Sequence, residues 1–349
     1  MDRELVRHLL DETGATRNRD VLADIFRTAY DLASDDADRL DLKITRDAMR
    51  EMRDAYRLFA PYRDVRKVTV FGSARTLTTD PLYGHARQLA ESLADAGWMV
   101  VTGAGPGIMA AATEGAGPER SLGVTIRLPF EETSVGPLSG SDRVVSMKYF
   151  FTRKLMLMKE SSGFVSLPGG FGTLDETLEL LTLLQTGKAT PAPVVLLDVP
   201  GQTYWHAWES FVREELVGPG WVSPHDSNLY SITDDVDEAV DAIRGFWRNY
   251  QGLRWVGSRL VIRLRAEPDD AEMAALNEEF GDLAPGGAIE RTEPLPAEVA
   301  DQDELDLPRL VLPFDVRQAG RFRDMIKAIN GFRSAPPLEV SAPPGTAGG

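Results

Sequence analysis

From Gly163 to Lys188 the chain reads GFVSLPGGFGTLDETLELLTLLQTGK, which sets groups suited to an anion beside groups that would repel one. An apolar run, Phe164–Leu167, leads into Pro168-Gly169-Gly170-Phe171-Gly172-Thr173, and an amphipathic helical pattern follows. Strand, glycine-rich bend and helix N-terminus make an anion cradle. Glycine lets backbone N–H groups approach a phosphate, and the helix dipole adds partial positive charge. Asp175 and Glu176 lie one turn further in, and a carboxylate cannot itself hold phosphate. It could reach the sugar of a bound nucleotide, to stabilise a cationic sugar or to position and deprotonate a water. Both serve glycosidic-bond cleavage through an oxocarbenium-like transition state. A structural reading competes, in which Thr173 as N-cap with Glu176 three residues on fits a capping box. Capping leaves Gly169, Gly170 and Gly172 unexplained.

Three further stretches could serve the same site. The segment Lys148–Ser161, read as a helix, carries Lys148, Arg153, Lys154 and Lys159, the densest basic stretch of an acidic region. Arg153 and Lys154 are adjacent, so they point about 100° apart on a helix and at most one reaches a given ligand squarely. The turn Thr102-Gly103-Ala104-Gly105-Pro106-Gly107 holds more glycine than a bend needs, which suggests close approach of Gly105 and Gly107 to a ligand. The turn Phe71-Gly72-Ser73-Ala74-Arg75 lacks the full dinucleotide fingerprint, leaving Ser73 and Arg75 as either ligand groups or a plain tight turn.

These turns need a scaffold that brings strand ends together. From Arg66, short β-branched runs (67–72, 98–102, 122–128, 143–146, 164–167 and 193–198) alternate with helical patterns (83–96, 108–117, 148–161, 174–186 and 204–216). Such alternation predicts an α/β, doubly wound, Rossmann-like parallel sheet over residues 63–250, with ligands at the carboxyl ends of the strands. All three glycine-rich turns follow strands. Residues 1–62 read as an N-terminal helical segment for packing or oligomerisation. Residues 251–334 read as a small α+β appendage, with strands at 259–265, 288–291 and 310–312 and helices at 269–280 and 318–330. Residues 293–307, with six acids, no base and two prolines, are expected to be a solvated loop, and 335–349 a disordered tail.

Composition narrows the classes. The chain has 349 residues, 43% hydrophobic and 26% charged, as in an ordinary soluble protein. No apolar run reaches the roughly 18 residues of a bilayer span, and the N-terminus lacks the apolar core of a signal peptide, so a cytoplasmic protein is expected. With no cysteine there is no disulfide or thiolate, and the four histidines show no metal-binding spacing. The net charge of −16 argues against nucleic-acid or anionic-membrane partners. A pyridoxal phosphate decarboxylase would need a Schiff-base lysine in a cofactor pocket, and nothing around Lys148, Lys154, Lys159 or Lys188 suggests one.

The run Pro168 to Glu176 resembles the PGGxGTxxE signature of the Lonely Guy (LOG) family, long labelled lysine decarboxylases. Arg153-Lys154 falls where that family carries its Arg-Lys pair, and Gly103 to Met109 is similar to its glycine-rich loop. The resemblance spans about Val68 to Phe246. It implies Arg153 and Glu176 as the catalytic pair, with Gly169, Gly170, Gly172 and Thr173 binding phosphate. It implies hydrolysis of a nucleoside 5′-monophosphate to free base and ribose 5-phosphate, no cofactor, and a homodimer or larger homo-oligomer. A cytokinin riboside 5′-monophosphate is among the substrates it suggests. Molybdenum-cofactor carriers resemble the same fold, so a non-catalytic carrier is the alternative. Phe150-Phe151-Thr152 replaces the plant-type Met-His before the Arg-Lys pair, and Ala104 replaces a glycine, which bears on base specificity.

Overall fold

The computed structural model describes residues 3–127 and 136–338; the end of the strand expected to reach Leu128, and residues 339–349 of the expected tail, lie outside them. By its internal contacts the chain divides into two compact units, Met1–Tyr56 and Arg57 onward.

The first unit holds α1 (Arg3–Glu12), α2 (Arg19–Ser34) and most of α3 (Arg39–Phe59). Val6, Leu10 and Ala23 form its small core, flanked by Leu22 and Phe26. Apolar residues at three- and four-residue spacing put these side chains on one stripe of each helix. Val21, Ile25 and Leu40 nevertheless stand exposed.

The second unit is built on seven parallel strands: β1 (Lys67–Phe71), β2 (Met99–Thr102), β3 (Ser121–Ile126), β4 (Val144–Met147), β5 (Gly163–Ser166), β6 (Val194–Leu197) and β7 (Ser231–Thr233). Their order is β4-β3-β2-β1-β5-β6-β7, the doubly wound α/β arrangement. Helices α4 (Pro81–Asp95), α5 (Ile108–Ala116), α6 (Phe150–Lys159), α7 (Phe171–Gln185), α8 (Tyr204–Phe211) and α9 (Val236–Gly245) accompany them. The strands are apolar because both faces are covered: Val68, Val70, Val100, Val101, Val194 and Val195 are all fully buried. Winding runs outward from β1 to β4, then returns to place β5 on the other side of β1, with Val68 paired to Gly163 and Phe71 to Ser166. The carboxyl ends of β1 and β5 therefore flank the switch point, where a crevice opens.

A second, antiparallel sheet follows, in the order β10-β11-β9-β8, from β8 (Tyr250–Val256), β9 (Arg259–Leu264), β10 (Glu290–Thr292) and β11 (Arg309–Pro313). Helices α10 (Asp270–Phe280), α11 (Pro296–Asp301) and α12 (Ala319–Gly331) accompany it. One hydrophobic core runs from Val240, Ile243, Phe246 and Tyr250 into Leu260, Ile262, Phe280 and Ile326. Asn330 of α12 clasps the junction: its Oδ1 accepts from the Asn249 and Tyr250 N–H groups at 2.8 and 2.9 Å, and its Nδ2 donates to Phe246 O at 2.6 Å.

The sequence reading needs two corrections here. It does not anticipate strands β7 and β8 or helix α9; β7 is only three residues long, and β8 directly follows the bend at residues 246–249. Nor are residues 293–307 a solvated loop. They carry α11, whose Glu298 is fully buried, accepting from Arg263 Nη2 at 2.8 Å and lying 3.3 Å from Arg309 Nε. Asp303 joins by pairing with Arg263 and Arg254, at 2.6 and 2.7 Å. The acids of this stretch meet bases that lie on β8 and β9, far back in the sequence, and on β11, just beyond it. No helix among the described residues is long and apolar enough to cross a membrane.

Candidate active site

The crevice is a cavity of about 790 Å³ lined by the ends of β1, β2 and β5 and the first turns of α6 and α7. The glycine-rich segment after β5 is tied to the turn after β1 by Ser73 N–H donating to Pro168 O at 3.4 Å and Leu167 N–H donating to Phe71 O at 2.9 Å. Helix α7 is anchored to its own strand: Thr177 Oγ1 donates to Thr173 O at 2.7 Å and lies 2.9 Å from Ser166 Oγ.

The structure decides against the capping box. Helix α7 starts at Phe171 with Gly170 as N-cap, its backbone extended (φ −88°, ψ −161°), and no side chain caps the first turn. Thr173 thus stands inside the helix, and Glu176 lies too far along it to close a cap. A Cβ built at Gly170 or Gly172 would meet nothing within 4 Å. Neither packing nor a left-handed backbone demands glycine there, so bare N–H groups face open space at the positive end of a helix.

Above this turn sits a buried ion pair. Arg153 of α6 donates from Nη1 to Glu176 Oε1 at 2.6 Å and from Nε to Val124 O of β3 at 3.0 Å. Both side chains are about 11% exposed. Burial pushes the Glu176 carboxyl above its usual range, and the neighbouring guanidinium opposes that rise only in part. A carboxylate so placed is a stronger base than a solvated one, held in a fixed direction by a rigid donor.

Gly103 makes room for that donor: a side chain there would collide with Arg153 Nη2 and come within 2.7 Å of Met109 Sδ. Tyr204, at the start of α8, donates its hydroxyl to Gly169 O at 2.7 Å and so steadies the glycine turn from the far wall. Arg75 lines the cavity, is exposed to solvent, and donates its backbone N–H to Ser73 Oγ at 3.1 Å. Phe171 projects beside it, 93% exposed.

Of the residues singled out from the sequence, Ser73, Arg153, Gly169, Gly170, Gly172, Thr173 and Glu176 line this cavity together. Lys154, Gly105 and Gly107 are not among its lining residues. Lys154 points away, pairing with Asp175 Oδ2 at 3.2 Å and with Glu179. Gly107 is required by the backbone instead, since its φ is +67° and a Cβ there would press to 2.7 Å on the backbone of Ala74. Ala104 takes a left-handed φ of 55° where a glycine would be unstrained, and Gly123 leaves space for its methyl. Sequence reasoning misses Gly103, Met109 and Tyr204 as site residues. The glycine density around Gly103 is the one usable signal, since nothing local marks Tyr204.

Residues 107–243 match the family described as "Possible lysine decarboxylase". Over 177 residues the chain is 30% identical to the probable cytokinin riboside 5′-monophosphate phosphoribohydrolase LOGL3 of Oryza sativa subsp. japonica, covering 49% of this chain and 81% of that protein. The chain belongs to the LOG family. A second LOG relative, the cytokinin riboside 5′-monophosphate phosphoribohydrolase LOG5 of Arabidopsis thaliana, is 26% identical over 185 residues, 52% of this chain and 78% of that one. Among solved structures, the molybdenum cofactor binding protein of Rippkaea orientalis is similar over 51% of this chain and 94% of that chain, at 20% identity and a TM-score of 0.37. The family match falls on the part of the chain that holds both members of the Arg153–Glu176 pair.

Proposed function

We propose that this LOG-family protein hydrolyses the N-glycosidic bond of nucleoside 5′-monophosphates, releasing the free base and ribose 5-phosphate. The observation that carries the reading is the Arg153–Glu176 pair beside an uncapped, glycine-lined helix N-terminus in one cavity. In this reading the 5′-phosphate lies against the N–H groups of Gly170 to Thr173, with Arg75 as its exposed counter-ion. The sugar then lies over Glu176, one turn along the helix. As the bond to the base lengthens and the ribose gains positive charge, the carboxylate stabilises that charge and takes a proton from the attacking water. Arg153 holds the carboxylate in place and keeps part of its population ionised.

A panel of AMP, CMP, GMP, UMP and a cytokinin riboside 5′-monophosphate, with base and sugar phosphate both quantified, tests this. Base and ribose 5-phosphate should appear in equal amounts from at least one substrate. Glu176→Gln and Arg153→Ala should each lower kcat by about 10²–10⁴-fold while circular dichroism stays native. Nucleotide binding without turnover across the whole panel would sink the reading and leave a carrier.

A further inference from the structure

A second cavity, of about 210 Å³, lies where the antiparallel sheet and α12 meet the far end of α7. At ~30 Å³ per water-sized group it accommodates about seven such groups. Its walls are apolar: Leu184 at the end of α7, Leu253 and Trp255 of β8, Leu260 of β9, and Phe314 and Phe322 around α12. Two cations, Lys188 and Arg323, line it, and no Asp or Glu is among its lining residues. In a chain with 54 acids and 38 bases, that local excess of positive charge is unusual.

Arg323 is the group that calls for a partner. It donates from Nη1 to Asn228 O, but its Nε–H is buried and makes no hydrogen bond among the described residues. The adjacent Asp324 accepts from Asn228 Nδ2 at 2.8 Å instead of pairing with it. Burial pushes the guanidinium down to about 10, with Asp324 opposing. A guanidinium with no carboxylate partner among the described residues, set in an apolar wall, is costly, and an anion bringing its own apolar body would relieve the cost.

We infer that this cavity binds a small apolar carboxylate, its acid group on Arg323 and its hydrocarbon or aromatic body against Trp255, Phe314 and Phe322. The site lies apart from the Arg153–Glu176 cavity and does not depend on the reading of that cavity. Calorimetric titration of the full chain with 3-phenylpropionate, 3-phenylpropionamide and phenethylamine tests it by binding alone. The acid should bind one to one, the amide at least tenfold more weakly, and the amine not at all; AMP should not displace the acid. Arg323→Met should reduce the acid to the level of the amide. Thr190→Trp, a change at an exposed lining residue, should weaken acid and amide alike without disturbing the fold. Equal binding of acid and amide, displacement by AMP, affinity that survives both variants, or no saturable binding of the acid would overturn the inference.

Discussion

Arg153 and Glu176 oppose one another electrostatically, and the balance is measurable. Burial raises the carboxyl and the guanidinium draws it back, with burial the larger effect. Carbon NMR of the Glu176 carboxyl should therefore give a midpoint above the 4.5 of an ordinary glutamate. Removing the cation removes the downward pull, so Arg153→Ala should move that midpoint higher still. If Glu176 is the base of the proposed reaction, kcat should rise with pH through the same region, falling away on the acid side. Arg75, exposed at the cavity wall, would on the proposed reading meet only the phosphate. Arg75→Ala should raise KM for a nucleotide tenfold or more and leave kcat nearly unchanged, a pattern steady-state kinetics separates cleanly.

At the scale of elements, the proposed reading makes α7 the link between binding and chemistry, because its open first turn and its Glu176 stand one turn apart on a rigid rod. Gly172→Ala should raise thermal stability slightly, by about 0.5 kcal/mol, since alanine suits a helix better and the new methyl meets nothing. The same methyl would enter the space that the proposed reading gives to the phosphate, so KM should climb. Gly103→Ala should act oppositely: the methyl displaces the Arg153 guanidinium, and kcat should fall with KM little changed. The alternation of β-branched runs with helical stretches makes six of the seven parallel strands legible in the sequence, because buried strands need continuous apolar residues. The start of α7 is not legible. Thr173 and Glu176 have the spacing of a cap, and only the backbone at Gly170 shows that the helix begins earlier. The acids near residue 300 mislead for a related reason: charge in a sequence looks solvated until distant arginines are seen to reach it.

In the molecule as a whole, stability rests heavily on the C-terminal layer. Glu298, wholly buried among Arg263 and Arg309, is held below the usual range: burial works to raise it, and the arginines and the Leu295 N–H outweigh burial. Its contribution is present above the ordinary glutamate range and is lost as pH falls through the lowered value. Glu298→Ala leaves two guanidinium groups without their shared partner and should cost about 3–5 kcal/mol in urea unfolding, with KM for nucleotide unchanged in the folded fraction. The continuity of the core has a hereditary consequence. Leu260, Ile262 and Ile326 pack in one cluster with Val240 and Ile243, so a genetic crossover near Tyr250 would leave each daughter chain a raw apolar face. On this account the layer should be inherited together with α9, with which it shares that cluster.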